Sequence, residues 1–508
     1  MIVHLSIPLF APLAFAVLGL FAPGRLAGRL ALAGALVTLG YAVLMVVDFD
    51  GSRGGLQYLT DQAWIDELGV RYTLGVDGLN LFLIALTAVI AVAALAWANL
   101  RPPGERPRLF FFQFGLAETA VLGAFLAQDL ALFVIFFDLM LVPFYFLVGG
   151  WGGAGRVAAT LKLVIYTLVG SLLMLAAAVA TAVLADPGGE LSFSLAELAR
   201  RPLPESTQRW IFLGFALAFL IKMPAFPLHG WMPDAYRAMP LPVLVLFSAV
   251  LSKVAAYGFL RVALPLFPDA AVDFQEPLLV LGLASILYGS VMAFTTTETR
   301  LIVGYSSLAQ LGFILLGVFA LRPESAQGAV LQMVNHGLVV APLFFIIAVL
   351  AERAGGSEDL RDMGGLALRG PVLAGLFLIV ALATLAIPGS ANFAGEFLIL
   401  LGLFQTKLAI AVIAFAGVAL ASVYMLRAFI RAMHNRAVPG AEQRDLSGRD
   451  ALVIAPLVAC ILAFGLYPQL ALEKGERGTA ASIRAAQRSA QEPARAATPQ
   501  PAAQVPTP

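Results

Sequence analysis

Lys222 closes an apolar run that begins at Trp210, and two prolines follow it in K-M-P-A-F-P-L-H-G-W, Pro224 and Pro227. The run reads as a membrane-spanning helix, and its ammonium falls roughly 20 Å along at ~1.5 Å per residue. Each proline removes a backbone donor and clashes with the preceding turn. The helix therefore breaks beside a buried charge and leaves carbonyls free there. Irregular backbone at membrane depth survives only inside protein or along a wet cavity. A lysine in such a place can hold a proton and release it. Four more ionisable residues, Glu118, Asp138, Lys253 and Glu396, fall near the middle of apolar segments. Each costs about 2.5–3.5 kcal/mol on insertion scales. Static salt bridges between helices and a proton chain both account for such a set; snorkelling of the two lysines does not, since both lie far from either helix end. Two histidines join the candidates, because imidazole titrates close to neutral pH. His229 follows the first break directly, and His336 lies in Q-M-V-N-H-G-L with Gln332 one turn before it. Ser306, Ser307 and Gln310 add polar groups on a neighbouring segment.

The elements that position these residues are membrane helices. The chain has 508 residues, 60% hydrophobic and 12% charged, with mean hydropathy +0.89; soluble domains carry about 25% charged residues. About fourteen apolar segments reach spanning length, so the fold class is all-α and polytopic. Span seven is interrupted after Lys222, and span twelve at Ile387-Pro388-Gly389, with Glu396 following in N-F-A-G-E-F. Interrupted spans five apart point to two inverted five-helix repeats. The expected units are 1–108 (helices 1–3), 109–264 (first repeat, helices 4–8) and 265–435 (second repeat, helices 9–13). Helix 14 follows over 436–472, and 473–508 reads as a disordered Ala/Pro-rich tail. With the N-terminus outside, inward loops carry about twice the positive residues of outward ones. Both termini are then periplasmic in a bacterial inner membrane. The outward loops 48–77 and 185–208 are expected to cap the outer face.

A formal net charge of +1 offers nucleic acid no basic face. The sequence has no G-x-G-x-x-G after a strand, no P-loop and no paired haem histidines, and Cys460 is its one cysteine. No cofactor or metal is therefore expected on this chain. A pump without a fuel site draws on an ion gradient or on partner subunits.

The runs F-F-D-L-M-L-V-P-F-Y-F-L-V-G-G-W-G-G, K-M-P-A-F-P-L-H-G-W-M-P-D-A, S-K-V-A-A-Y-G, G-Y-S-S-L-A-Q-L-G and N-H-G-L carry a family. Together they resemble the antiporter-like membrane chains of respiratory complex I, over roughly residues 70–435. Glutamate in G-E-F at Glu396, where most other members have lysine, is similar to the chain M branch, the mitochondrial chain 4 type. The resemblance implies a proton-translocating subunit of an NADH:quinone oxidoreductase, driven by electron transfer elsewhere and without a redox centre of its own. It places NADH, FMN, iron–sulfur clusters and quinone in partner subunits, and the L and N chains in the same hetero-oligomer. It carries the family's acids and lysines onto Asp138, Lys222, Lys253 and Glu396, and a span-four glutamate onto Glu118. The proton path it implies runs from Lys222, tuned by Asp138, through His336 and Lys253 to Glu396. Two positions depart from the pattern: aspartate at Asp138 where most members have glutamate, and Asn392-Phe393 where most have G-F. The shorter side chain is expected to set the carboxylate ~1.3–1.5 Å further back. The alternatives are a subunit of a multisubunit Na+/H+ antiporter and a membrane subunit of a hydrogenase-type complex.

Overall fold

Hydrocarbon offers no partner to a backbone N–H, so a chain this apolar closes its hydrogen bonds within helices. The computed structural model describes residues 4–186, 189–435 and 444–496. Helices α1 (Ser6–Leu20) and α2 (Gly24–Asp48) lead to an antiparallel hairpin of β1 (Gln57–Ile65) and β2 (Val70–Val76). Then come α3 (Leu81–Leu100), α4 (Pro107–Leu126), α5 (Leu130–Leu139), α6 (Leu141–Trp151), α7 (Arg156–Ala185) and the short α8 (Leu195–Leu198). The middle holds α9 (Glu205–Lys222), α10 (Met232–Ala238), α11 (Leu241–Leu266), α12 (Pro268–Asp273) and α13 (Gln275–Thr295). The rest is α14 (Thr299–Phe319), α15 (Pro323–Arg353), α16 (Pro371–Thr384), α17 (Ala391–Thr406), α18 (Leu408–Met433), α19 (Gly448–Leu466) and α20 (Gln469–Ala496). Among the described residues, eleven helices are long and apolar enough to cross a membrane, and α1, α16 and α17 are shorter apolar ones.

The spans divide by what surrounds them. α11 and α14 are buried along their whole apolar length and α15 nearly so, whereas α2, α18 and α19 are buried along only a third. Small residues let the inner helices approach closely. A Cβ on Gly312 of α14 would lie 2.6 Å from the Gly282 carbonyl of α13. The helices that carry Lys253 and His336 are thus among those sealed from lipid.

Both expected interruptions are present. α9 stops at Lys222, and the chain resumes helix only at Met232; Trp231 turns its indole N–H to the buried end of α9, at the Ile221 carbonyl (3.0 Å). α16 stops at Thr384, Gly389 takes φ +88°, and α17 restarts at Ala391. Three further irregularities were not anticipated. Span five, expected to be unbroken, divides into α5 and α6 at Met140, where Pro143 denies the Leu139 carbonyl its N–H. Within α11, Phe247–Leu251 and Phe259–Ala263 are π turns.

The tail corrects an expectation. Residues 473–496, read as disordered, belong to helix α20, while 497–508 lie outside the described residues. The composition is too poor to build a core, but a helix lying on a surface needs only one apolar face. Ala471, Thr479, Ile483 and Ala486 supply it and are buried. Gly78 allows close approach, since a Cβ there would fall 2.3 Å from the Lys474 carbonyl. Lys474 also donates to the Phe49 carbonyl (2.6 Å), Gln487 to the Leu321 carbonyl (3.0 Å) and Ser489 to Asp269 (2.5 Å). α20 therefore crosses the loops after α2, β2 and α14, and the short helix α12, like a strap.

Candidate functional site

The first cluster forms where α9 breaks. Lys222 is buried, and its Nζ donates to the Phe137 carbonyl of α5 (2.5 Å) while sitting 3.7 Å above the Phe137 ring. The next residue, Asp138, faces the same ammonium and Ser171 of α7. The two charges lie side by side without an ion pair: among the described residues no carboxylate oxygen comes within 4.0 Å of Lys222 Nζ. Asp138 Oδ1 has no protein partner. A cation–π contact and a carbonyl thus hold the ammonium in place of a carboxylate.

The second cluster lies on α11 and α15. Lys253 is fully buried between the two π turns, and its Nζ donates to the Ser248 carbonyl (2.7 Å) and to Ser252 Oγ (3.3 Å). Its charge faces His336 of α15, whose Nε2 meets Ser307 Oγ of α14 at 3.2 Å. His336 Nδ1 has no protein partner.

The third cluster forms beyond the second break. Glu396 Oε1 accepts from Gln310 Nε2 of α14 (2.8 Å) and Gln332 Nε2 of α15 (3.4 Å), and Gln332 also donates to Gln310 Oε1 (2.7 Å). Glu396 Oε2 has no protein partner. Ser306 pairs with the buried Tyr424 hydroxyl of α18 (2.8 Å), which faces Glu396. Asn335 ties α15 to the start of α17 through the Ala391 carbonyl (2.5 Å).

Two candidates stand apart. Glu118 of α4 is fully buried, and among the described residues neither carboxylate oxygen has a partner and no charge faces it. His229 stacks on Phe226 and lies tilted against Tyr288, and its Nδ1 has no protein partner. Gln332, placed by spacing beside His336, serves Glu396 instead. Tyr424 and the Phe137 carbonyl escaped the sequence reading, because neither an ordinary tyrosine on an apolar helix nor a main-chain oxygen carries a signal. Among the described residues no three His, Cys, Asp or Glu side chains gather where they could hold a metal. The arrangement is a set of buried ionisable groups in the bundle interior, of which Asp138, His336 and Glu396 each keep one polar atom without a protein partner. Such groups can pass a proton from one to the next.

Residues 127–422 match the family described as NADH:quinone oxidoreductase/Mrp antiporter, transmembrane. NADH-quinone oxidoreductase subunit M of Mycobacterium tuberculosis is 35% identical, the match covering 92% of each chain. A chain in the structure of respiratory complex I from Thermus thermophilus superposes with a TM-score of 0.87 at 31% identity, covering 95% of this chain and 99% of that one. A chain of an Mrp complex from a Dietzia species gives 0.82 at 22% identity, over 96% and 99%, which speaks to the fold alone.

Proposed function

The chain belongs to the NADH:quinone oxidoreductase/Mrp antiporter family, and from that membership we propose that it is the proton-translocating subunit M of an NADH:quinone oxidoreductase. The observation that carries this reading is the 35% identity to a subunit M along 92% of both chains. Glu396 held by two glutamines beyond the second break supports it. Protons enter the bundle interior and reach Lys222, where Asp138 favours the ammonium by proximity. Weakening that attraction releases the proton through water and His336 to Lys253, and on to Glu396. Electron transfer in other subunits drives the cycle; NADH, FMN, iron–sulfur clusters and quinone reside there, and the L and N chains are its neighbours in the membrane. Ten of the fourteen spans form two inverted five-helix repeats, 109–264 and 265–435, and both termini face the periplasm.

The test is the number of protons moved per NADH oxidised by the intact complex in liposomes, with Lys222 replaced. A ratio that stays normal at full assembly removes Lys222 from the path. Transport that needs Na+ and persists without NADH oxidation would instead favour the antiporter reading.

A further inference from the structure

Lys253 sits on a helical segment, Ser252–Gly258, bounded on both sides by π turns. A π turn takes up an extra residue, and such turns persist inside α-helices where a local interaction holds them. For the turn Phe259–Ala263 that interaction comes from Arg261 at its centre. Arg261 Nη2 donates to Asp77 Oδ1 (2.6 Å) and Nε to the Tyr257 hydroxyl (2.9 Å). Tyr257 in turn donates to the Phe125 carbonyl at the end of α4 (2.9 Å). The pair is shielded, with only 14% of the Arg261 side chain and 11% of Asp77 exposed.

Asp77 is itself a fixed target. Its Oδ1 also accepts from the Leu79 N–H (2.9 Å), and its own N–H donates to Asn80 Oδ1 (2.9 Å). Asn80 Nδ2 reaches the Gly75 and Phe125 carbonyls (3.0 and 2.8 Å). The guanidinium therefore joins the corner between β2 and α3 and the end of α4 to the turn that carries it. α20 packs against this same turn and lies over Gly78, next to Asp77. A shielded ion pair is a weak source of stability, since desolvation offsets the attraction; setting register is its best-attested use.

We propose that Asp77 and Arg261 are positioning residues for the Lys253 step: the pair holds the π turn, and the turn sets the register in which Lys253 meets His336. This rests on the proton relay proposed above. If the turn wound back to α-helix it would release one residue, turning the segment before it by about 100° relative to the chain beyond. Lys253 would rotate away with Ser248 and Ser252, while His336 stays tied to Ser307.

Intact complex carrying Asp77→Asn, Arg261→Gln or both together is reconstituted in liposomes, and protons moved per NADH oxidised are compared at equal assembly. Each single variant is expected to lower the ratio about two-fold or more. The double variant leaves no unpaired charge, so a mere staple would recover both assembly and the ratio; positioning predicts that assembly recovers and the ratio stays low. Lys253→Ala, run alongside, keeps the two ideas apart. Normal pumping in Lys253→Ala overturns the relay, whereas defective Lys253→Ala beside normal pair variants overturns only the positioning role. Where neither single variant assembles, Arg261→Lys replaces them, keeping the charge and losing the planar fork; an unchanged ratio there overturns the proposal, and a lowered one supports it. A structure of a variant that assembles gives a readout independent of transport. A retained π turn with Lys253 still facing His336 would sink the idea.

Discussion

At the residue scale, the unusual feature is an ammonium beside an aspartate that does not grip it. Beyond 4 Å, at an effective dielectric near 20, the attraction stays below roughly 4 kcal/mol, so Asp138 can bias Lys222 without locking it. Lys222→Ala is expected to cut proton pumping by about an order of magnitude, with NADH oxidation falling alongside if coupling is tight; pH-dye measurements on proteoliposomes check it. Asp138→Glu brings the carboxylate closer and is expected to be tolerated, whereas Asp138→Asn removes the charge that faces Lys222 and should abolish most pumping. Glu118→Gln is the control. Near-normal pumping with asparagine at 138 and collapse with glutamine at 118 would transfer the partner role to Glu118. At the third cluster, Glu396→Gln preserves a carbonyl oxygen for the Gln310 amide and removes only the titratable group. It should therefore impair pumping with little effect on assembly, with Glu396→Asp milder; equal pumping in all three forms would leave Glu396 a structural acceptor.

Elements matter through their interruptions. Four of them, at Met140, at the two π turns and after Lys222, lie within a few residues of Asp138, Lys253 or Lys222, and a fifth precedes Glu396 by one short turn and a half. Near two of them a main-chain oxygen partners a lysine, the Phe137 carbonyl for Lys222 and the Ser248 carbonyl for Lys253. α20 is the opposite kind of element, an uninterrupted helix held by one face. Ile483 is fully buried there, so Ile483→Asp would bury an unpaired carboxylate at a cost of several kcal/mol. α20 is expected to lift off, and trypsin should then cut after Arg477 or Arg484 in assembled complex. Protection equal to the unaltered chain would show that the strap is held elsewhere.

On the scale of the whole molecule, ion pairs stitch together helix ends that are distant in sequence. Arg101 at the end of α3 binds Glu352 of α15 (2.8 Å) and Asp450 of α19 (2.7 Å), and Arg237 after the first break binds Glu298 before α14 (2.6 Å). In the loop after α15, Arg361 holds the Asp359 carboxyl down at about 2. The stability this pair adds is present above the usual aspartate value and lost only as pH falls toward 2, so it does not titrate at physiological pH. Such exposed pairs are each worth little, and their effect is in orientation. If the arginine bias sets topology, these ends face the cytoplasm and α20 the periplasm. A reporter fused after Thr507 is expected to be active only on the periplasmic side. Cytoplasmic activity would invert the topology and every half-path drawn through it.

By itself the sequence determined which stretches form long apolar helices, where spans seven and twelve break, and which charges are buried. Each of these follows from local chemistry: apolar length, a proline's missing N–H, the cost of a charge in hydrocarbon. Only the tertiary structure decided which atoms those charges meet. A helix turns about 100° per residue, so spacing alone cannot tell whether Gln332 serves His336 or Glu396, and a rotation of one position separates the two. Lys222 meets the Phe137 carbonyl because α5 packs against α9, where Phe133 and Phe137 lie beside Phe219. The π turn after Lys253 carries Arg261, whose partner Asp77 lies 184 positions away in the chain. The order of α20 likewise comes from the loops beneath it, since its own composition carries too little apolar surface to fold alone.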